Sequence, residues 1–112
     1  MTERARKYLA DILLAIELIE AFSTGITNFS DYQNNLKTKS AIERQLGIIG
    51  EAVNQFRKLE ENSGLSNIRA MVNFRNRLIH SYDNIDDAIV WVILKRHLPV
   101  LKNEVEQLLN ND

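Results

Sequence analysis

Apolar residues recur at intervals of three and four from Leu9 to Leu108, and no stretch alternates apolar and polar in a convincing way. That period is the one of a helical turn, about 3.6 residues, so it confines the fold to helices packed on helices. The first helix is expected over residues 2–22, with Leu9, Ile12, Leu13, Ile16, Ile19 and Phe22 on one stripe. Lys7, Asp11, Glu17 and Glu20 fall elsewhere on the wheel. Ser23-Thr24-Gly25 ends it, because Gly25 can take the left-handed conformation that closes a helix. A short second helix is expected over Asn28 to Tyr32.

Ser40 and Glu43 have the spacing of a capping box, which places the start of the third helix near Thr38 to Ser40. Its core stripe is Ile42, Leu46, Ile49, Val53 and Phe56. After the break at Asn62-Ser63-Gly64, a fourth helix is expected from Ser66 to His80. Asp83-Asn84 reads as a turn, with Asn84 and Asp87 capping a fifth helix that runs to about Leu109. Ala88 to Leu94 is apolar on every side, Trp91 included, so the start of that helix is expected to be buried. Pro99 removes a backbone donor and should kink it. The 112 residues thus read as a single all-α domain, a bundle of about five helices with a Pro-kinked C-terminal helix.

The absence of Cys excludes disulfides, thiolate metal sites and thiol nucleophiles, and fits a cytoplasmic setting. The N-terminus has no uninterrupted apolar core of the kind a signal peptide needs. The longest apolar run, Ala88 to Leu94, falls far short of the roughly 20 residues of a membrane span, so no membrane partner is expected. A net charge of −1 removes global basicity as an argument for nucleic acid, and any RNA contact must come from a local patch.

That patch is legible. From Asn62 to Tyr82 there is no acidic residue, and within this window Arg75-Asn76-Arg77-Leu78-Ile79-His80-Ser81-Tyr82 gathers guanidinium, carboxamide, imidazole and phenol groups. On a wheel, Ile68, Met71, Val72, Phe74, Leu78 and Ile79 form one apolar arc, and Arg75 lies in its middle. A guanidinium there needs acceptors beside it or a seam between helices or subunits. In the third helix Gly47 and Gly50 each cost about 1 kcal/mol relative to Ala, which close approach of another helix would justify. Glu51 would sit at the edge of that contact, and a structural Arg75–Glu51 pair is the plain alternative to a catalytic role.

Arg69, Asn73, Asn76, Arg77 and His80 share a different arc, and Asn76 is placed to orient the His80 ring four residues on. His80 lies about 140° round the wheel from Arg75, so a regular helix does not aim both side chains at one spot. Either the helix unwinds before His80, or the Arg reaches across an interface. As structural readings, His80 and His97 would be helix-end histidines and Tyr82 a half-buried aromatic.

The chemistry these groups suit is cleavage of RNA by its own 2′-hydroxyl, which needs a base, an acid and positive charge at phosphorus. Imidazole exchanges a proton near neutrality, at about pH 6.5, so His80 is the candidate base or acid. Arg75 can hold phosphoryl oxygens through paired hydrogen bonds, with Asn76 and Arg77 in support. One chain offers one such His, and a homodimer would supply the second. No HExxH, carboxylate cluster, Gly-rich phosphate loop or nucleophile elbow points to a metal or another cofactor.

Arg75, four residues, His80, one residue, Tyr82 resembles the signature of the HepT-like branch of the HEPN ribonucleases, with the polar residue after the Arg present as Asn76. The run Ala41 to Ala52, with Ile49-Gly50-Glu51-Ala52, is similar to that family's third helix. The resemblance implies a five-helix HEPN domain that dimerises, the Arg and His of both protomers lining a metal-independent RNase cleft. It also implies a toxin of a type II toxin–antitoxin pair, whose partner is a minimal nucleotidyltransferase of the MntA kind that transfers AMP to the motif tyrosine, here Tyr82. Phosphodiester charge added there would compete with RNA for Arg75 and His80. Two other functions stay open at this point. One is a non-catalytic helical dimer that binds and regulates a nucleotidyltransferase; the other is an RNA-binding protein without catalysis.

Overall fold

The computed structural model describes residues 1–80 and 85–111. Thr2 caps the first helix, its hydroxyl accepting the Ala5 N–H at 3.0 Å, and α1 runs Glu3–Phe22. Leu9, Ile12, Ile16 and Ile19 are buried as the stripe requires, with Ala5 and Ala15 filling the narrow positions between them. Gly25 closes the helix end at φ +92°, the left-handed region that an L side chain resists. Asn28 caps the short α2 (Phe29–Asn34), which drives Tyr32 into the core.

The third helix starts earlier than the Ser40–Glu43 spacing suggests. Asn35 closes α2 and caps α3 (Leu36–Leu59), its side-chain oxygen accepting the Thr38 N–H at 3.0 Å. One asparagine serves both helices, so Ser40 has no end left to cap. Ile42, Leu46, Ile49, Val53 and Phe56 are all buried, and they form the spine on which α1 and α4 lie from either side.

The fourth helix, α4 (Ile68–His80), begins two residues later than its apolar pattern implies, with the Met71 N–H bonded back to the Asn67 carbonyl. Met71, Val72 and Phe74 are buried, but Ile79, placed on the same arc, is 51% exposed. The expected turn at Asp83-Asn84 lies outside the described residues. The next helix is capped by Asp86, which accepts the Ala88 N–H at 2.8 Å, rather than by Asn84.

From there α5 (Asp87–Val92), a π turn (Ile93–His97) and α6 (Leu98–Asn110) follow without a break, so the described chain is an all-α bundle of five helical rods. The π turn answers Pro99. Proline gives no N–H to the carbonyl four residues back and its ring crowds that group, and the wider turn, with the Leu98 N–H reaching the Ile93 carbonyl, relieves the crowding. The expectation that Ala88 to Leu94 is buried fails: only Val90 and Ile93 are, and Val92 is 42% exposed. One face of this rod meets the core, and Trp91 rests against the Phe29 and Tyr32 rings with the Lys95 ammonium above it. The opposite face borders an open groove beside α4. Lys39 and Asp87, both largely buried, pair at 2.8 Å and tie the start of α3 to the start of α5. Among the described residues no helix is long and apolar enough to cross a membrane.

Candidate active site

The two glycines of α3 decide where α4 sits. A methyl group on Gly50 would lie 2.5 Å from the Arg75 Cβ and 2.6 Å from the Met71 carbonyl oxygen. One on Gly47 would lie 3.1 Å from a Leu78 methyl. The α4 backbone therefore rests directly on Gly50, with the stem of Arg75 running across it.

That contact holds the guanidinium. One amino group lies 2.6 Å from a Glu51 carboxylate oxygen, with the arginine side chain 28% exposed. The other donates to the Asn76 side-chain oxygen at 3.0 Å. Glu51 is itself fixed by the Gln55 amide at 2.9 Å. That bond above all, and then the Arg75 charge, hold the Glu51 carboxyl below its ordinary value despite partial burial, which pushes the other way. Arg75 is thus clamped on two sides, and a guanidinium has more N–H donors than these two contacts use.

Of the other expected site residues, Asn76 is exposed and its carboxamide turns to Arg75. It makes no hydrogen bond to His80 among the described residues, so the expected orienting contact is absent. His80 closes α4 with its ring exposed. The helix stays regular through it, which removes unwinding as the way to bring Arg75 and His80 together within one chain. Arg77 lines, with Asn73 and His97, the rim of an apolar groove of about 370 Å³ formed by Ala70, Phe74, Ile89 and Val92 among others. Tyr82 lies outside the described residues.

His97 is not the helix-end histidine expected: it is half-buried on the π turn within the unbroken rod, and its ring nitrogen lies 2.7 Å from the Asn67 side-chain oxygen, tying that turn to the start of α4. Sequence reasoning passed over Gln55 and Arg57. Gln55 follows Glu51 by one helical turn, a spacing that could have revealed it. Arg57 joins Arg69 only through the fold, on a cavity described below. Among the described residues no group of three or more His, Asp or Glu side chains is placed to hold a metal ion.

The family described as Ribonuclease HepT-like matches residues 12–108. A Thermococcus cleftensis protein named "Probable ribonuclease HepT" is 38% identical over 112 residues, covering 96% of this chain and 98% of the relative. A Methanocaldococcus jannaschii protein with a provisional RNase name is 36% identical over 105 residues, 90% of this chain and 93% of its own length. A Caldanaerobacter subterraneus protein, also provisionally named an RNase, is 30% identical over 108 residues, 96% of each chain. No solved structure matches.

Proposed function

Because the chain belongs to the HepT-like ribonuclease family, we propose that it is a metal-independent endoribonuclease whose active groups are Arg75 and His80, completed by a second copy of the chain. The observation that carries this reading is the regular course of α4 through His80. It leaves Arg75 and His80 about 140° apart on one helix, so one chain does not close round a phosphate alone and a second copy supplies the groups on its other side.

In the reaction, the 2′-oxygen beside the scissile phosphate attacks phosphorus while one His80 removes its proton. The bond from phosphorus to the 5′-oxygen breaks, and the His80 of the other copy protonates that leaving oxygen. The products are a 2′,3′-cyclic phosphate and a 5′-hydroxyl. Arg75 places its remaining N–H groups on the phosphoryl oxygens as negative charge builds there. The clamp by Glu51 and Asn76 supplies preorganisation, since the guanidinium does not have to be ordered during the reaction.

The biological setting follows the same family reading: a toxin of a type II pair, held inactive by a cognate nucleotidyltransferase that adds AMP to Tyr82. Purified chain should cleave single-stranded RNA, and His80→Ala should not. Expression of the chain alone should slow growth, and co-expression with the nucleotidyltransferase should add one AMP, found by mass spectrometry on Tyr82. An adduct on another residue would overturn that assignment.

The Arg75–Glu51 pair favours a second reading, in which the arginine is structural and the chain is a non-catalytic dimer regulating the nucleotidyltransferase. It predicts a stable complex and no cleavage by the purified chain.

A further inference from the structure

Beside Asn76, the end of α3 and the first turns of α4 border an open cavity of about 470 Å³. It is lined by Arg57, Ile68, Arg69, Val72, Asn73 and Asn76. Two guanidinium groups converge here, both exposed, and no carboxylate among the described residues pairs with either. Arg57 is steadied by its Nε–H bond to the Asn54 side-chain oxygen at 2.9 Å. Like charges lining one concavity raise its positive potential, an arrangement that an arriving anion relieves. The rest of the lining offers carboxamides and only two apolar side chains.

We infer that this cavity is a backbone subsite that holds a phosphate of single-stranded RNA adjacent to the one being cleaved. Asn76 carries the argument, because it belongs to both places: its oxygen accepts from Arg75 and its side chain forms part of the cavity wall. A strand whose scissile phosphate rests on Arg75 therefore meets Arg57 and Arg69 next, with Asn73 and Asn76 beside the sugar or base. Contacts of this kind fix register without reading sequence. A protein partner fits less well, since the centre of a protein interface is apolar and poor in charge. The subsite would let a chain with a net charge of −1 bind RNA through local charge: Arg69 lies in a segment free of carboxylates from Asn62 to Tyr82, and the fold brings Arg57 to it from the end of α3.

The inference rests on the ribonuclease reading, and its test is made independent of cleavage. Binding of a fluorescent twelve-nucleotide RNA to the full chain carrying His80→Ala is followed by anisotropy over a range of salt, with and without Arg57→Gln and Arg69→Gln. The double substitution should weaken binding about tenfold and reduce the slope of log K against log salt by about 0.7, the contribution of one phosphate on a single strand. Arg57→Lys with Arg69→Lys should keep most of the slope. Arg4→Gln with Lys37→Gln, the same charge change outside the cavity, should leave binding as it was.

If the cavity variant binds RNA as the Arg4/Lys37 control does, the subsite is overturned, even where the wild-type chain cleaves RNA. If the slope falls as stated but the wild-type chain never cleaves, the nuclease reading fails and the subsite stands. Unchanged RNA binding with loss of a nucleotidyltransferase complex would make this a protein-docking face and overturn the inference.

Discussion

Gly47 and Gly50 lie one turn apart on the same helix, gain the same propensity on replacement by alanine, and face α4 at different clearances. Each change should return about 1 kcal/mol of helix propensity. At Gly47 the new methyl meets only the end of the Leu78 side chain, at 3.1 Å, and a shift of a few tenths of an ångström relieves it. Gly47→Ala should therefore be neutral or stabilising by up to about 1 kcal/mol. At Gly50 the methyl would meet the α4 backbone at 2.6 Å, where ordinary contact begins near 3.4 Å, so α4 must withdraw by most of an ångström. Overpacking of that kind costs about 1–3 kcal/mol, to which the loosened Met71 packing adds. Gly50→Ala should lose about 1–2 kcal/mol net, separating the two variants by about 1–3 kcal/mol. Urea unfolding by circular dichroism, at one protein concentration because a dimer makes stability concentration-dependent, measures the difference. Two variants stabilised to the same degree would refute the close approach of α4 to Gly50, and with it the account of how Arg75 is held.

Glu51→Gln should flatten the acid limb of stability. The wild-type carboxyl titrates below its ordinary 4.5 in the folded chain, so its stabilisation is present above that value and is lost as pH falls through the lower one. Unfolding followed between pH 6 and pH 3 reads this out, and identical acid limbs would count against the hold of Gln55 and Arg75 on Glu51. Arg75→Lys should lose cleavage by about tenfold or more, because an ammonium lacks the planar fork that can meet a phosphate through two N–H groups while others stay on Glu51 and Asn76; full activity in a single-turnover assay would remove Arg75 from the chemistry. Asn35→Ala and Asp86→Ala should each cost about 1 kcal/mol in urea unfolding, and Ser40→Ala close to none. A reversed order would restore the Ser40 cap.

Helix type and the buried stripes were legible because they are properties of local spacing: the α3 spine from Ile42 to Phe56 follows from period alone. The starts of α3 and α5 were misplaced because Ser40 and Asn84 have capping chemistry, whereas the choice among neighbouring caps depends on where the previous element ends. Burial of Val92 and Ile79 was overestimated for a related reason. Apolar residues mark a face for contact without saying whether the contact lies inside one chain. At the site, Gly47, Gly50 and Glu51 in one helix and Arg75 in another pointed correctly to a close crossing. The Asn76–His80 pairing suggested by i, i+4 spacing does not form, since Asn76 has a stronger partner in the adjacent guanidinium. Arg57 could not be joined to Arg69 from sequence, as nothing local links them.

The central claim is that His80 moves the protons of a metal-free RNA cleavage. Its most direct test is the rate at which purified chain cuts single-stranded RNA in excess chelator, wild type beside His80→Ala, with the new ends identified. The wild type should leave 2′,3′-cyclic phosphate ends, and the variant, whose substituted position is exposed and so leaves folding intact, should lose about 10²-fold or more. Equal rates from the two proteins, or cleavage that stops when divalent ions are removed, would contradict it.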